Sequence, residues 1–262
     1  MFPEFSLIGL SLYDIFFMLG VVSALLILRL LSDRSGFSAK LFNFCLFDGI
    51  FAIACGYGSA VLFQAFYNFL DNGKFELSAT TGATFYGGLN GGVALFLIIY
   101  FGVGHFRFPD GEHRASTFKL TGIAACSITA AHAWGRVGCF MVGCCHGHAT
   151  DSVFGIFMKY PGYKVLPTQL WEAIFLGLLC AFLIMRYLKN KSYNMPIYMA
   201  AYGVWRFFIE YFRGDHRGET VVKFLTPSQL VAVILVLGAG LVWYLEKRGI
   251  KTSAEEVKSH EE

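Results

Sequence analysis

Apolar stretches of about twenty residues recur along this chain, each long enough to cross roughly 30 Å of hydrocarbon at about 1.5 Å per residue. They predict seven spans, near residues 8–31, 45–70, 84–104, 118–141, 169–188, 194–212 and 227–245. The expected fold class is therefore all-α: a polytopic membrane bundle of about seven transmembrane helices, one domain over residues 1–245. From 246 to 262 the chain turns polar with mixed charge and has no apolar periodicity to bury, which predicts a mobile polar cytoplasmic tail. No basic residue stands between Met1 and Ser6, and no small-residue cleavage pattern follows the first apolar run. That run is expected to stay as a helix rather than be removed.

Composition agrees with this pattern. The chain is 56% hydrophobic and only 15% charged, with mean hydropathy +0.56, against roughly 45–50% apolar residues in soluble domains. A net charge of +3 without a basic stripe excludes a nucleic-acid binder. The placement of the basic residues carries more information. Arg29, Arg34 and Lys40 follow the first span, Arg107, Arg114 and Lys119 the third, Arg186, Lys189 and Lys191 the fifth, and Lys247, Arg248, Lys251 and Lys258 the seventh. The other loops hold Lys74, then Lys159 and Lys164, then Arg213, Arg217 and Lys223. The positive-inside rule puts the richer loops and the C-terminus in the cytoplasm and the N-terminus outside.

That orientation gives each polar residue a depth. Tyr86 falls near the outer end of the third span. His132, Arg136 and Cys139 lie in the outer half of the fourth and share a face at i, i+4 and i+7. The fifth span starts with Pro167, Gln169 and Glu172, and the sixth finishes with Tyr202, Arg206, Glu210 and Arg213. Four helices thus bring polar groups to one level, where an arginine costs up to roughly 2.5–3.5 kcal/mol. Ion pairing that merely fixes helix packing, Arg206 with Glu210 and Arg136 with Glu172, would offset part of that cost. The surplus of guanidinium suits an anionic ligand, and in a membrane the abundant one is a lipid phosphate. Gly82, Gly87, Gly88, Gly91 and Gly92 surround Tyr86, with close helix packing the simplest reading for Gly88 and Gly92. Gly135, Gly138, Gly143 and Gly147 punctuate the exit of the fourth span, where the backbone must leave the helix or approach a ligand.

These residues resemble the prolipoprotein diacylglyceryl transferases of bacterial inner membranes. Gly135-Arg136-Val137-Gly138-Cys139-Phe140, continuing to Gly143, is similar to that family's GRxGNFxNGE signature. Thr84 to Leu89 is similar to its SFHGGL block, Pro167 to Glu172 to its HPSQLYE block, and Tyr202 to Arg213 to its YGxxRxxxExxR block. Ser228-Gln229-Leu230 resembles the start of its last helix. The resemblance implies an enzyme that moves a diacylglyceryl group from phosphatidylglycerol to the lipobox cysteine thiol of a lipoprotein precursor, at the outer face of the inner membrane, releasing glycerol phosphate. It implies no cofactor and no metal. Arg136 and Arg206 would hold the phosphate, Glu210 would orient Arg206, and Arg213 would steer anionic headgroups at the rim. Gly87, Gly88, Gly138, Cys139, Gly143, Cys144, Gln169, Glu172 and Tyr202 match its substrate-binding blocks. The departures fall on the chemistry: Tyr86 stands where the family has a histidine, Cys139 where it has asparagine, and Cys144 where it has glutamate. An unperturbed phenol, with pKa near 10, is a poor base.

The altered segment carries His132, Cys139, Cys144, Cys145, His146 and His148. A soft-metal site is conceivable, although no C-x-x-C pair is present and the spacing fits no standard zinc pattern, so no metal ligand is assigned. A disulfide between Cys139 and Cys144 or Cys145 is a second reading. The third has one of the histidines, His146 foremost, take over the proton duty, or a cysteine carry the transferred group. The expected catalytic set is Arg136, Arg206, Glu210, His146 and Tyr86. Two other classes stay open: an anion carrier, disfavoured by the outward level of the polar groups and the lack of an internal repeat, and a thiol-redox membrane protein. Cys45, Cys55, Cys126 and Cys180 read as small buried hydrophobes. Asp14 and Asp48 read as packing hydrogen bonds or aids to lipid access. The loop with His105, Asp110, Glu112 and His113 reads as solvated.

Overall fold

The computed structural model describes residues 6–7, 9–73, 75, 77–78, 81, 85–214 and 225–261. Lys74, Gly82, Thr84, Arg217 and Lys223 lie outside them, and of Tyr86 only the backbone is described. Helix accounts for 77% of the chain, and the strands found are two-residue pairs, so the all-α class holds. Five helical segments are long and apolar enough to cross a membrane: Leu12–Arg34, Ala39–Phe69, Gly87–Arg107, Thr168–Leu188 and Pro227–Ile250. The other two expected spans are also helical, but they lack that character. One, Asn194–Ile209, has 16 residues, about 24 Å of rise. The other, Thr117–Val142, has 26 residues, but its threonines, serine, His132 and Arg136 dilute its hydropathy. These are the two helices that carry Arg206 and Arg136.

The chain divides into two compact units, residues 32–117 and residues 1–31 with 118–262. In the first, α2 (Ala39–Asn72) is capped at its N-terminus by Ser38, whose hydroxyl accepts from the Leu41 N–H. It stops at Gly73, held at φ +68°, whose N–H donates to Phe69 O. Helix α3 (Phe85–Ile98) lies against α2 with glycine on both sides. A Cβ on Gly56 would stand 2.9 Å from Gly88 O, and one on Gly92 would stand 3.1 Å from Ala52 O. Gly87 also receives the Ser59 hydroxyl on its carbonyl at 2.9 Å. The chain continues through a π-helical turn, Ile99–Val103, into α4 (Gly104–Arg107) and α5 (Glu112–Ala115).

That last loop is not uniformly solvated, contrary to the sequence expectation. His113 is 1% exposed, packed edge-on against Tyr100 and beside Phe108, and its ring approaches Gly104, where a side chain would collide. Tyr100 donates its hydroxyl to His113 O. Glu112 reaches back to accept from the N–H and hydroxyl of Ser38 at 3.1 and 2.9 Å.

The second unit opens with a hairpin of β1 (Ser6–Leu7) and β2 (Leu10–Ser11) before α1 (Leu12–Arg34), so the first helix starts four residues later than the apolar run predicts. Then come α6 (Thr117–Val142), the antiparallel pair β3 (Ile156–Phe157) and β4 (Lys164–Val165), α7 (Thr168–Leu188), α8 (Asn194–Ile209), a 3-10 turn Glu210–Phe212 and α9 (Pro227–Glu261). Helix α1 meets α6 at Gly20 and Gly138: a Cβ on Gly138 would lie 3.2 Å from the Tyr13 ring. Helices α8 and α9 meet at Gly203, where a Cβ would stand 2.9 Å from Ala232 O. Helix α9 carries its polar C-terminal stretch as far as Glu261 without a break. Cys45, Cys126 and Cys180 are buried as expected, whereas Cys55 is half-exposed. Asp48 is 4% exposed, and neither carboxylate oxygen has a hydrogen-bond partner among the described residues. Asp14 is exposed and accepts from the Ser11 N–H and hydroxyl.

Close packing of α2 on α3 has a direct test. Gly56→Leu forces the two helices apart and should destabilise the protein by at least about 1–3 kcal/mol. Gly58→Leu, where nothing lies within 4 Å of the added Cβ, should leave the thermal unfolding midpoint in micelles unchanged.

Candidate functional site

Glu172 lies in the second turn of α7 with its side chain fully shut off from solvent. A carboxylate in that position needs cations and donors around it, and two other helices supply them. Arg136 of α6 places Nε 3.0 Å from Oε2. Tyr202 of α8 donates its hydroxyl to Oε1 at 2.9 Å. His132, one turn before Arg136, has Nε2 3.9 Å from Oε1 and its ring set edge-on to Tyr202 at 4.8 Å between centroids. Arg206 also lies within electrostatic range of Glu172, His132 and Tyr202. Arg136 is paired with Glu172, and Arg206 acts on the same carboxylate through space.

Arg206 has its own carboxylate. Its Nη2 stands 2.8 Å from Glu210 Oε2, one turn along α8, and donates to Ser228 Oγ at 2.7 Å. Thr226 donates its hydroxyl to Glu210 Oε1 at 3.0 Å. Neither Ser228 nor Thr226 is in the expected site, yet both belong to a pattern readable in the sequence. Thr226-Pro227-Ser228-Gln229 is a capping box with proline at the first helical position. The Thr226 N–H donates to Gln229 Oε1 at 3.1 Å and the Gln229 N–H to Thr226 Oγ1 at 3.2 Å. The start of α9 therefore grips both members of the Arg206–Glu210 pair. One atom stays out of this arrangement: Arg206 Nη1 is buried without a hydrogen-bond partner among the described residues. Arg136 remains 16% exposed.

The cysteine segment is built by the end of α6. Gly143 takes φ +84°, and the N–H groups of Gly143 and Cys144 both donate to Cys139 O, at 3.0 and 3.1 Å, closing the helix with a left-handed cap. The chain thus folds back over its last turn, and the Sγ atoms of Cys139, Cys144 and Cys145 gather within 4.8 Å of one another. Cys145 itself holds φ +60°, rare for a residue with a side chain. Two residues at the start of α7 fix this turn: Thr168 donates to Cys145 O at 3.2 Å and Gln169 Nε2 to Cys144 O at 3.1 Å. Beyond it, the Gly147 N–H donates to Leu166 O and the His148 N–H to Phe212 O, a crowded crossing with no room for a side chain at 147. Hydrogen bonds from the thiols of Cys139 and Cys144, with the Arg213 guanidinium behind them, pull the Cys145 thiol pKa well down. His146 lies beside this turn with Nδ1 2.9 Å from Gly147 O. A carbonyl only accepts, so Nδ1 carries the proton and Nε2 the lone pair in the neutral ring.

The expected residues thus divide. Arg136, Glu172, Tyr202, Arg206 and Glu210 form one polar centre. Cys139, Gly143, Cys144, Gln169 and Arg213 build the adjoining thiol turn, and Gly138 receives α1. Tyr86, Gly87 and Gly88 belong to the unit of residues 32–117, where Gly87 and Gly88 pack on α2. Removing the central carboxylate tests the arrangement. Glu172→Ala strands Arg136 and should destabilise the protein by about 3–5 kcal/mol, as breaking a buried pair does. Tyr202→Phe removes one hydrogen bond to a charge and should cost about 1.5–3 kcal/mol. Unfolding in mixed micelles measures both, and equal losses would contradict the ranking.

The family model described as prolipoprotein diacylglyceryl transferase matches residues 3–245. The phosphatidylglycerol–prolipoprotein diacylglyceryl transferase 2 of Clostridium perfringens (strain 13 / Type A) is 27% identical over 261 residues, 95% of this chain and 97% of the relative. The transferase of the corresponding name in Wolbachia pipientis wMel is 27% identical over 256 residues, 94% and 93% of the two chains. That of Clostridioides difficile (strain 630) is 32% identical over 180 residues, 67% and 66%. With a family match over nearly its whole length, the chain belongs to the prolipoprotein diacylglyceryl transferase family.

Proposed function

We propose that this chain transfers a diacylglyceryl group from phosphatidylglycerol to the thiol of a lipoprotein precursor's lipobox cysteine, at the outer face of the bacterial inner membrane, and releases glycerol phosphate. The observation that carries the reading is two guanidinium groups from different helices, each held by a buried carboxylate and both in electrostatic range of Glu172, one with a buried N–H that has no partner among the described residues. The names and coverage of the relatives support the donor and acceptor.

In this reaction the acceptor sulfur attacks the glycerol carbon that bears the phosphate. The carbon–oxygen bond breaks, the phosphate departs on glycerol, and the thiol proton passes to a base. Charge builds on the leaving phosphate as that bond stretches, and preorganised cations in a dry site stabilise it strongly. Arg206 offers Nη1 while Glu210 and Ser228 hold its other face. Arg136 offers the exposed part of its guanidinium while Glu172 restrains Nε. Glu172 and Tyr202 line the phosphate site by positioning Arg136, and Arg213 lies at its rim beside the thiol turn. His146 takes the thiol proton at Nε2, its Nδ1 being engaged by Gly147 O.

Seven crossings fit this role. Helices α6 and α8 are read as crossing the bilayer along with the five apolar ones, which place bulky side chains such as Phe47, Ile53, Leu178 and Leu237 on exposed faces, as lipid contact requires. The basic loops then put the N-terminus outside and the C-terminus in the cytoplasm.

Purified protein in vesicles with phosphatidylglycerol and a lipobox peptide should release glycerol phosphate and yield a lipidated peptide. Arg206→Lys loses the planar fork but keeps the charge, and a drop of at least about 100-fold is expected, the size of losing one transition-state donor. His146→Gln should lower the rate by about 100-fold or more without loss of inserted protein, the low end of general-base contributions. No release by the intact, inserted protein would remove the lipobox thiol as acceptor.

A further inference from the structure

The thiol turn contains more sulfur than a transferase site needs. Cys139 at the end of α6 is buried, Cys145 is half-buried and Cys144 is exposed, and their three Sγ atoms lie within 4.8 Å of one another. All are free thiols. Four backbone or side-chain bonds hold the turn in this shape, two from the cap at Gly143 and two from Thr168 and Gln169. The left-handed backbone at Cys145 is kept by them and aims its sulfur back toward the other two.

We propose that Cys139, Cys144 and Cys145 form a three-thiolate site for a soft monovalent ion, copper(I). Three-coordinate binding with metal–sulfur bonds of about 2.3 Å, the length of zinc–thiolate bonds, sets the sulfurs about 4.0 Å apart. That spacing is within a side-chain adjustment of the one found. Soft thiolate ligands select copper(I), whereas zinc in a closed protein site takes four ligands. Among the described residues no histidine or carboxylate joins the three sulfurs in the cluster. On binding, the thiols that still carry protons release them to solvent and the ion takes three thiolate lone pairs, with no change of oxidation state. The product carries a net charge of two negatives before its surroundings are counted, and the Arg213 guanidinium beside Cys145 offsets part of it. Exposed Cys144 gives the ion a way in.

The test uses the full chain, purified anaerobically in micelles with a phosphine reductant and titrated with copper(I) against a bicinchoninate competitor. The expected result is one tightly held ion per chain, with X-ray absorption showing three sulfur neighbours and no nitrogen or oxygen. Cys144→Ser, at an exposed position, should weaken binding by at least roughly tenfold, the lower end of what even outer-shell changes do at metal sites. Cys139→Ser and Cys145→Ser should do the same, and Cys126→Ser and Cys180→Ser should change nothing. Retention of the ion by the triple serine variant, two-sulfur coordination, or displacement by equimolar zinc would overturn the assignment. So would a reduced chain that binds no copper(I), including one that forms a disulfide among these cysteines in air.

Discussion

A carboxylate sealed from water organises the polar centre. Glu172 cannot remain charged there without partners, because the desolvation of an isolated ion is worth several kcal/mol even after relaxation. It finds a guanidinium on α6 and a phenol on α8, so the interaction that keeps it charged also fixes the spacing of three helices. Each helix brings polarity that its own segment could not sustain in hydrocarbon. That is why α6 and α8 lack the apolar character of the other five.

The second ion pair follows the same logic with a different anchor. Arg206 and Glu210 are neighbours on one helix, but that alone would leave them free to swing. The capping box that starts α9 supplies a hydroxyl to each, from Ser228 and Thr226. A local device for beginning a helix thereby becomes a clamp on the Arg206–Glu210 pair, and one arginine N–H stays buried without a partner among the described residues. The close approach at Gly203 makes the reach possible, since any side chain there would press on the α9 backbone. The proposed phosphate site would be preorganised in this way, its donors already held by protein contacts before an anion arrives.

The thiol turn joins helix-end geometry to the same centre. A left-handed glycine closes α6, and the chain turns back far enough for three sulfurs to meet. Gln169 illustrates how position and role can part. Its place at the head of α7 suggests a substrate contact, yet its amide nitrogen holds the Cys144 carbonyl, while Oε1 is buried and unpartnered. Gly143 likewise serves as a cap.

Much was legible in the sequence by itself. Apolar run lengths determined the helical class, because bilayer thickness and helix rise are fixed quantities. The i, i+4 spacing determined that Arg206 and Glu210 would pair, and Thr226 to Gln229 contained the capping signal. Arg136 with Glu172 was a candidate pair, but only the tertiary structure decided that it forms, that Thr226 and Ser228 hold the second pair, that His113 is buried, and that Cys139, Cys144 and Cys145 converge. Periodicity and capping are local, set by a few residues along one backbone. Partnerships such as 136 with 172, or 210 with 226, join residues far apart in the chain, and they exist only once packing has chosen which helix faces meet.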